Sequence, residues 1–191
     1  KNAKHIMWVL DIWPNILKEL NIIKNQYILI ILNKIIKFIY KKTDLILAQS
    51  NSFIKLIQTQ SENIKIKYIP AWAEAILDKN YKLKKDKSDD LLLDETKFKI
   101  VFTGNIGEAQ NFENIMKAAA ILKVQKDISW IIVGTGRKIK EFQEFIITNK
   151  INNFYFIGEK PLERIGFYHK NSDILLISLS SGKSLSATIP G

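Results

Sequence analysis

Residues 99–122 read KIVFTGNIGEAQNFENIMKAAAIL. The run Ile100-Val101-Phe102 combines β-branched and aromatic residues, which predicts a short buried strand. Thr103-Gly104-Asn105-Ile106-Gly107 follows as a turn with two glycines. Phe112, Ile115, Met116, Ala119 and Leu122 then recur at the spacing of one helix face, predicting a helix over residues 111–122. A strand, a glycine-rich turn and a helix in that order present backbone N–H groups and a helix N-terminus to a phosphate. An ordinary tight turn of an α/β domain has the same appearance, so the flanking sequence has to decide.

Downstream the same unit recurs. Residues 129–133 predict a strand that meets Gly134-Thr135-Gly136, and Ile139, Phe142 and Ile146 share a face of the helix after it. Residues 154–157 predict a strand ending at Gly158, after which Pro161 opens a short helix with Leu162, Ile165 and Tyr168. A strand over residues 173–178 runs into Leu179-Ser180-Ser181-Gly182-Lys183-Ser184. Four β-α units with Gly, Ser or Lys after the strands predict a parallel sheet whose ligand edge is built from those loops. No single motif explains them. Gly134-Thr-Gly136-Arg-Lys-Ile139 lacks the third glycine of a dinucleotide fingerprint, and Ser180–Ser184 keeps only the tail of a P-loop. A diphosphate site assembled from several loops needs neither.

Upstream, residues 4–10 predict a strand ending at Asp11-Ile12-Trp13-Pro14. A polar residue just past a parallel strand sits where α/β proteins place ligands, and Asp11 is equally suited to cap the helix that Pro14 opens, the reading we favour. Ile16–Lys42 is the most apolar stretch, and its uncharged centre, residues 25–33, falls far short of the roughly 20 residues of a membrane span. As a helix it is either a core element with a solvated lysine edge or one that lies on an anionic membrane through Lys34, Lys37, Lys41 and Lys42. Residues 44–48 predict a strand, Gln49–Ser52 supply caps for a helix through Gln58, and residues 64–69 predict a strand stopped by Pro70. Residues 78–90 carry dense mixed charge and read as an exposed linker, which puts a domain boundary between Trp72 and Lys97.

Composition narrows the functional classes. The 191 residues are 47% hydrophobic and 25% charged, as in a folded chain. There is no cysteine, hence neither a disulfide nor a thiolate metal site, and the two histidines, His5 and His169, are too far apart in sequence to suggest zinc. The net charge of +10 comes from scattered lysines in a chain rich in Ile and Asn, the pattern of AT-rich coding, and the aromatics fall at core-type positions, so a nucleic-acid partner is not expected. The start lacks the basic, apolar, small pattern of a signal peptide. A chain without an initial Met that stops at Ile189-Pro190-Gly191 reads as a fragment.

Seven short motifs, in order, carry a resemblance. Trp8-Val-Leu-Asp11-Ile-Trp13-Pro14, Asp44-Leu-Ile-Leu-Ala-Gln-Ser50 and Ile69-Pro70-Ala-Trp72-Ala-Glu74 are followed by Phe102-Thr-Gly104-Asn-Ile-Gly107-Glu-Ala-Gln110, Ile132-Val-Gly134-Thr-Gly136, Phe156-Ile-Gly158 and Ser172-Asp173-Ile-Leu-Leu-Ile. Together they resemble the retaining glycosyltransferases of family four, and within it the enzymes of bacterial polysaccharide assembly. The resemblance implies an α/β chain of GT-B type with two Rossmann-like domains, both incomplete in this fragment. Residues 1–72 would be the last part of an acceptor-binding domain, 73–96 a linker, and 97–191 a truncated donor-binding domain.

It implies a transferase that moves a sugar from a nucleotide-diphosphate donor to a glycan or lipid-linked acceptor with retention. No metal and no resident cofactor are expected, and the setting would be cytoplasmic, peripheral at the inner face of the cell membrane through Ile16–Lys42. The fragment alone is expected to be inactive. Residue by residue, Gly104 and Gly107 would let the backbone approach the donor diphosphate, with Asn105 and Gln110 standing where many members have a basic pair. Gly134 and Gly136 would border the nucleotide, Lys160 and Pro161 the base, and Ser181, Gly182, Lys183 and Ser184 the sugar and diphosphate. Leu10 aligns with the histidine that many relatives place in the catalytic cleft, and Asp11 beside it is the candidate catalytic residue on the acceptor side. Two other functions fit the same architecture: a non-catalytic sugar-nucleotide-binding assembly protein and a nucleotide-sugar epimerase.

Overall fold

Stretches of period two and period 3.6 alternate along the chain, and the computed structural model, which describes residues 3–61, 64–72 and 86–190, turns nearly all of them into strands and helices of the expected type. The chain divides into two units: Lys1–Trp72 together with Leu179–Gly191, and Ala73–Ser178.

In the first unit β1 (Ile6–Val9), β2 (Leu45–Ala48) and β3 (Ile66–Tyr68) form a parallel sheet in that spatial order. Val9, Ile46 and Ala48 pack with Ile12, Tyr40, Phe53 and Ile57 into one core. The opposite strand face carries Trp8, whose indole stacks on Trp72 at a centroid distance of 4.9 Å. Helix α3 (Asn51–Gln60) starts where its cap predicts: Ser50 Oγ accepts from the Phe53 N–H at 3.0 Å.

Two upstream expectations need correction. Ile16–Lys42 is not one helix. Helix α1 (Asn15–Glu19) ends, Asn21 takes a left-handed backbone at φ 55°, and α2 (Gln26–Lys42) restarts after Asn25, whose Oδ1 accepts from the N–H groups of Tyr27 at 2.9 Å and Ile28 at 3.4 Å. Both breaks fall on asparagine, the side chain that tolerates the left-handed region and caps helix starts. Along α2 Tyr40 is buried in the core, with Ile36 packed against it, and the lysines are exposed. Asp11 does not cap α1. The chain first turns Ile12 fully into the core, which leaves Asp11 exposed in a bend, and α1 opens at Pro14 without a side-chain cap.

The second unit holds a four-stranded parallel sheet in the order β6-β5-β4-β7, with β4 (Phe98–Thr103), β5 (Ile128–Val133), β6 (Phe154–Gly158) and β7 (Ile174–Leu175). Alternation along β4 and β5 buries both faces. Ile100, Phe102, Trp130 and Ile132 pack against α5 (Phe112–Ile121) and α6 (Ile139–Thr148). Val101, Ile131 and Val133 face Tyr168 of α7 (Leu162–Lys170) and Leu92 of the short α4 (Asp89–Leu93). The strand expected over residues 173–178 is a strand only at Ile174–Leu175, flanked by bonds from the Asp173 N–H to Lys99 O at 3.0 Å and from the Leu176 N–H to Val101 O at 2.8 Å.

Within residues 86–90, part of the stretch read as exposed linker, Lys87 and Asp90 are exposed, but Ser88 and Asp89 are buried, because Arg164 and Tyr168 of α7 supply partners for their polar groups. The rest of that stretch, residues 78–85, lies outside the described residues. Among the described residues no helix is long and apolar enough to cross a membrane.

Candidate functional site

At the carboxyl ends of β4, β5 and β6 the strand hydrogen bonding continues into the loops. Gly104 N–H donates to Val133 O at 2.9 Å, Ile106 N–H to Thr135 O at 2.9 Å, and Gly134 N–H to Gly158 O at 2.9 Å. Three successive loops are thereby held as one edge, the place where parallel α/β sheets bind ligands. The glycines divide by what surrounds them. A Cβ on Gly134 would overlap the Gly104 carbonyl, and one on Gly136 would overlap the backbone of Ile106. These two are required by the approach of one loop to the next. Around Gly107 a Cβ meets only the side-chain ends of Asn105, at 2.8 Å, and Gln110, at 3.4 Å.

The edge offers amides more than charge. Asn105 is exposed, and Gln110 is half-buried with an Oε1 that is shielded from solvent and lacks a hydrogen-bond partner. Lys138 pairs with Glu113 at 2.5 Å, which holds the Glu113 carboxyl below its usual range and pushes the lysine up. Lys160 Nζ donates to Asp86 Oδ2 at 2.7 Å, and that bond, with those from Ser88, holds the Asp86 carboxyl well below the usual carboxylate range. Pro161 is exposed at the cap of α7. Arg137, which the sequence reading passed over although it directly follows Gly136, is exposed in the same loop. His169 was also missed as a neighbour: its Nε2 lies 2.9 Å from Thr103 Oγ1, just before Gly104, and burial lowers its pKa.

Ser181, Gly182, Lys183 and Ser184 belong to the first unit and are described with it. Ser181 and Lys183 are exposed, whereas Ser184 is buried. The Glu19 carboxylate at the end of α1 accepts from the Ser184 N–H, at 3.0 Å to Oε1 and 3.1 Å to Oε2, and from the Leu185 N–H at 3.3 Å. A Cβ on Gly182 would run into the same carboxylate. No sequence signal pointed to Glu19, because its partners lie 165 positions away. Replacing Glu19 by alanine leaves these buried N–H groups without an acceptor, at about 1–3 kcal/mol for each group unsatisfied. The expected result is faster hydrogen exchange confined to residues 184–187. Unchanged exchange there would show that the carboxylate does not hold the segment. Asp11 is exposed past the end of β1. Among the described residues no three His, Asp or Glu side chains come together to hold a metal ion.

The model of the family described as "Glycosyl transferases group 1" matches residues 84–186, more than half of the chain. The probable glycosyltransferase WbjE of Pseudomonas aeruginosa is 23% identical over 184 residues, which make up 94% of this chain and 45% of that protein. Among solved structures, that of WaaG, a glycosyltransferase involved in lipopolysaccharide biosynthesis, gives a TM-score of 0.70 at 12% identity, over 95% of this chain and 52% of that one. That of Anabaena Alr3699/HepE in complex with UDP and glucose gives 0.65 at 16% identity, over 94% and 47%. The chain thus spans about half the length of these relatives. The fold is that of GT-B glycosyltransferases, with Rossmann-like α/β units. By sequence match and by fold, this chain belongs to the group 1 family of glycosyl transferases.

Proposed function

We propose that the protein takes part in retaining glycosyl transfer from a nucleotide-diphosphate sugar to a glycan or lipid-linked acceptor during cell-surface polysaccharide assembly, at the cytoplasmic face of the membrane. The observation that carries this reading is the tied edge of loops after β4, β5 and β6, inside the region that the family model matches. Breaking the glycosidic bond leaves charge on a departing diphosphate, and oriented N–H groups in a fixed loop stabilise such charge without reorganising. Asn105 and Gln110 would contribute amide donors, and Arg137 the nearby positive charge. Lys160 would act through its bond to Asp86, as a wall of the base site more than as a free cation. Asp11 is proposed to face the acceptor and the exposed Ser181 and Lys183 the transferred sugar, while Ser184 is buried with its N–H on the Glu19 carboxylate. No resident cofactor or metal is part of this reading.

UDP sugars are the first donors to try, because several of the solved neighbours are described as complexes with UDP. A ligand at about 100 times its Kd stabilises a protein by about 2.7 kcal/mol. A UDP- or GDP-sugar is therefore expected to raise the melting midpoint by several degrees, and Gly107→Val to abolish the rise while leaving the unliganded midpoint nearly unchanged. A folded chain that responds to no nucleotide sugar would overturn the donor site. One observation favours a second reading. Uncharged Asn105 and Gln110 occupy the places where the family resemblance puts a basic pair, as a binding protein without turnover would tolerate. Donor protection with no transfer to any acceptor would select it, and NMR of the product's anomeric proton tests retention.

A further inference from the structure

Thr103 ends β4 on the strand face that it shares with Val101, where Val101 and Val133 pack with Tyr168 of α7. Its hydroxyl lies at the rim of that apolar layer, and His169, in the last turn of α7, meets it there with Nε2 2.9 Å from Thr103 Oγ1. Burial lowers the pKa of the half-buried ring, which is therefore neutral at pH 7. A neutral imidazole and a hydroxyl each carry a donor and an acceptor, so the pair closes in either tautomer. The backbone under the ring is held independently of the loop. Ser172 Oγ donates to the His169 carbonyl at 2.7 Å, and Arg164 and Tyr168 of the same helix bond to the buried Asp89 and Ser88. On the other side, Thr103 leads directly into Gly104, whose N–H donates to Val133 O and whose carbonyl lies against Gly134. Two anchors thus meet where β4 leaves the sheet, one from β5 to the backbone and one from α7 to a side chain. Because α7 also follows Lys160 and Pro161, it connects the loop after β6 to the root of the loop after β4.

We propose that His169 is a positioning residue of the donor site: through Thr103 it sets the direction in which the chain leaves β4, and so the presentation of the following N–H groups to the donor diphosphate. Gly104 takes φ 148°, one of the many conformations open to glycine, so the turn does not hold its own direction. An anchor on the preceding residue removes that freedom before the ligand arrives, and donors fixed in advance bind charge without reorganising. The inference rests on the donor reading above and adds to it a side chain that acts without touching the ligand.

Calorimetric titration with UDP tests it in three variants. His169→Phe keeps a ring and loses the bond, Thr103→Val keeps the shape and loses the hydroxyl, and His169→Gln returns an amide to the region of Nε2. His169→Phe and Thr103→Val are each expected to weaken UDP binding about fivefold, the contribution of one net hydrogen bond, and the double variant no further. His169→Gln should restore most of the affinity. A packing role alone would lower the melting midpoint of His169→Phe and leave its UDP affinity unchanged, which overturns the proposal. Additive losses in the double variant, or a glutamine no better than phenylalanine, overturn it equally. Hydrogen exchange at the Gly104 and Ile106 N–H groups, measured without nucleotide, gives a second reading: faster in both single variants and slow again in His169→Gln. Unchanged exchange there overturns the positioning role even where UDP binds. A wild-type chain that binds no nucleotide sugar sinks the donor reading by itself, and the exchange measurement still decides whether His169 holds the loop.

Discussion

Gly134→Val is expected to destabilise the second unit by about 4 kcal/mol or more, enough to leave much of it unfolded. Two effects add. The backbone of Gly134 has φ 138°, a region that L side chains rarely adopt, and that strain alone is of order 1–3 kcal/mol. The new Cβ would also overlap the carbonyl of Gly104, a backbone group held between the bonds from the Gly104 N–H to Val133 O and from the Ile106 N–H to Thr135 O. Moving it disturbs the loop after β4 and the bond from Ile106 to Thr135 with it. Gly158→Ala is the control, with φ 80° and nothing within 4 Å of the added Cβ. It carries the conformational strain alone and should lose only about 1 kcal/mol. Urea denaturation of the two variants reads the difference directly. Equal losses would mean that loop-to-loop approach contributes nothing and that backbone strain is the whole effect. The contrast also protects the donor experiment: a variant at Gly134 loses ligand because the loops collapse, whereas one at Gly107 displaces only flexible side-chain ends.

Asp89→Ala is expected to lower stability by about 3–5 kcal/mol. Asp89 and Arg164 are 6% and 8% exposed and form an ion pair, and Asp89 Oδ2 also accepts from the Asp86 N–H at 2.8 Å. Beside them Ser88 Oγ and Tyr168 OH share a hydrogen bond of 2.7 Å, and Leu92 is buried. These contacts pin residues 86–93 to α7. Removing the carboxylate takes the Asp89 counter-ion from a buried guanidinium, which is far worse than removing both charges. The double replacement Asp89→Leu with Arg164→Met should therefore recover most of the loss in the same denaturation experiment. If the double variant is as unstable as the single one, the bond from the Asp86 N–H, and not the ion pair, is what holds the segment.

Much of the fold was legible because its signals are local. The apolar run at residues 100–102, the glycine turn after it and the helical spacing of Phe112, Ile115, Met116 and Ala119 became β4, its loop and α5 almost to the residue. Ser50 announced α3 by the chemistry of its own side chain. Legibility failed where two local signals competed. Asp11 had the right side chain for a cap, yet burial of Ile12 decided the path of the chain. Ile16–Lys42 had helical composition throughout, yet Asn21 and Asn25 broke it because a left-handed residue and a cap were both available there. Charge density at residues 86–90 suggested solvent, which holds for Lys87 and Asp90, but Ser88 and Asp89 are buried because Arg164 and Tyr168 stood ready with partners that no sequence window contains.

By itself, the sequence determined the order of strands and helices, the parallel class of the sheet after residue 97 and the glycine-bearing loops at its strand ends, since periodicity and turn chemistry act over a few residues. Only the tertiary structure decided what those loop residues touch. It set Gly134 and Gly136 against neighbouring backbone, tied Lys160 to Asp86, closed Glu19 over Ser184 and left Ile28, Ile31, Ile35 and Phe38 of α2 exposed. Each of these joins groups far apart in the chain or chooses between two faces of one helix, and such choices depend on where packing brings the elements, which no local pattern encodes.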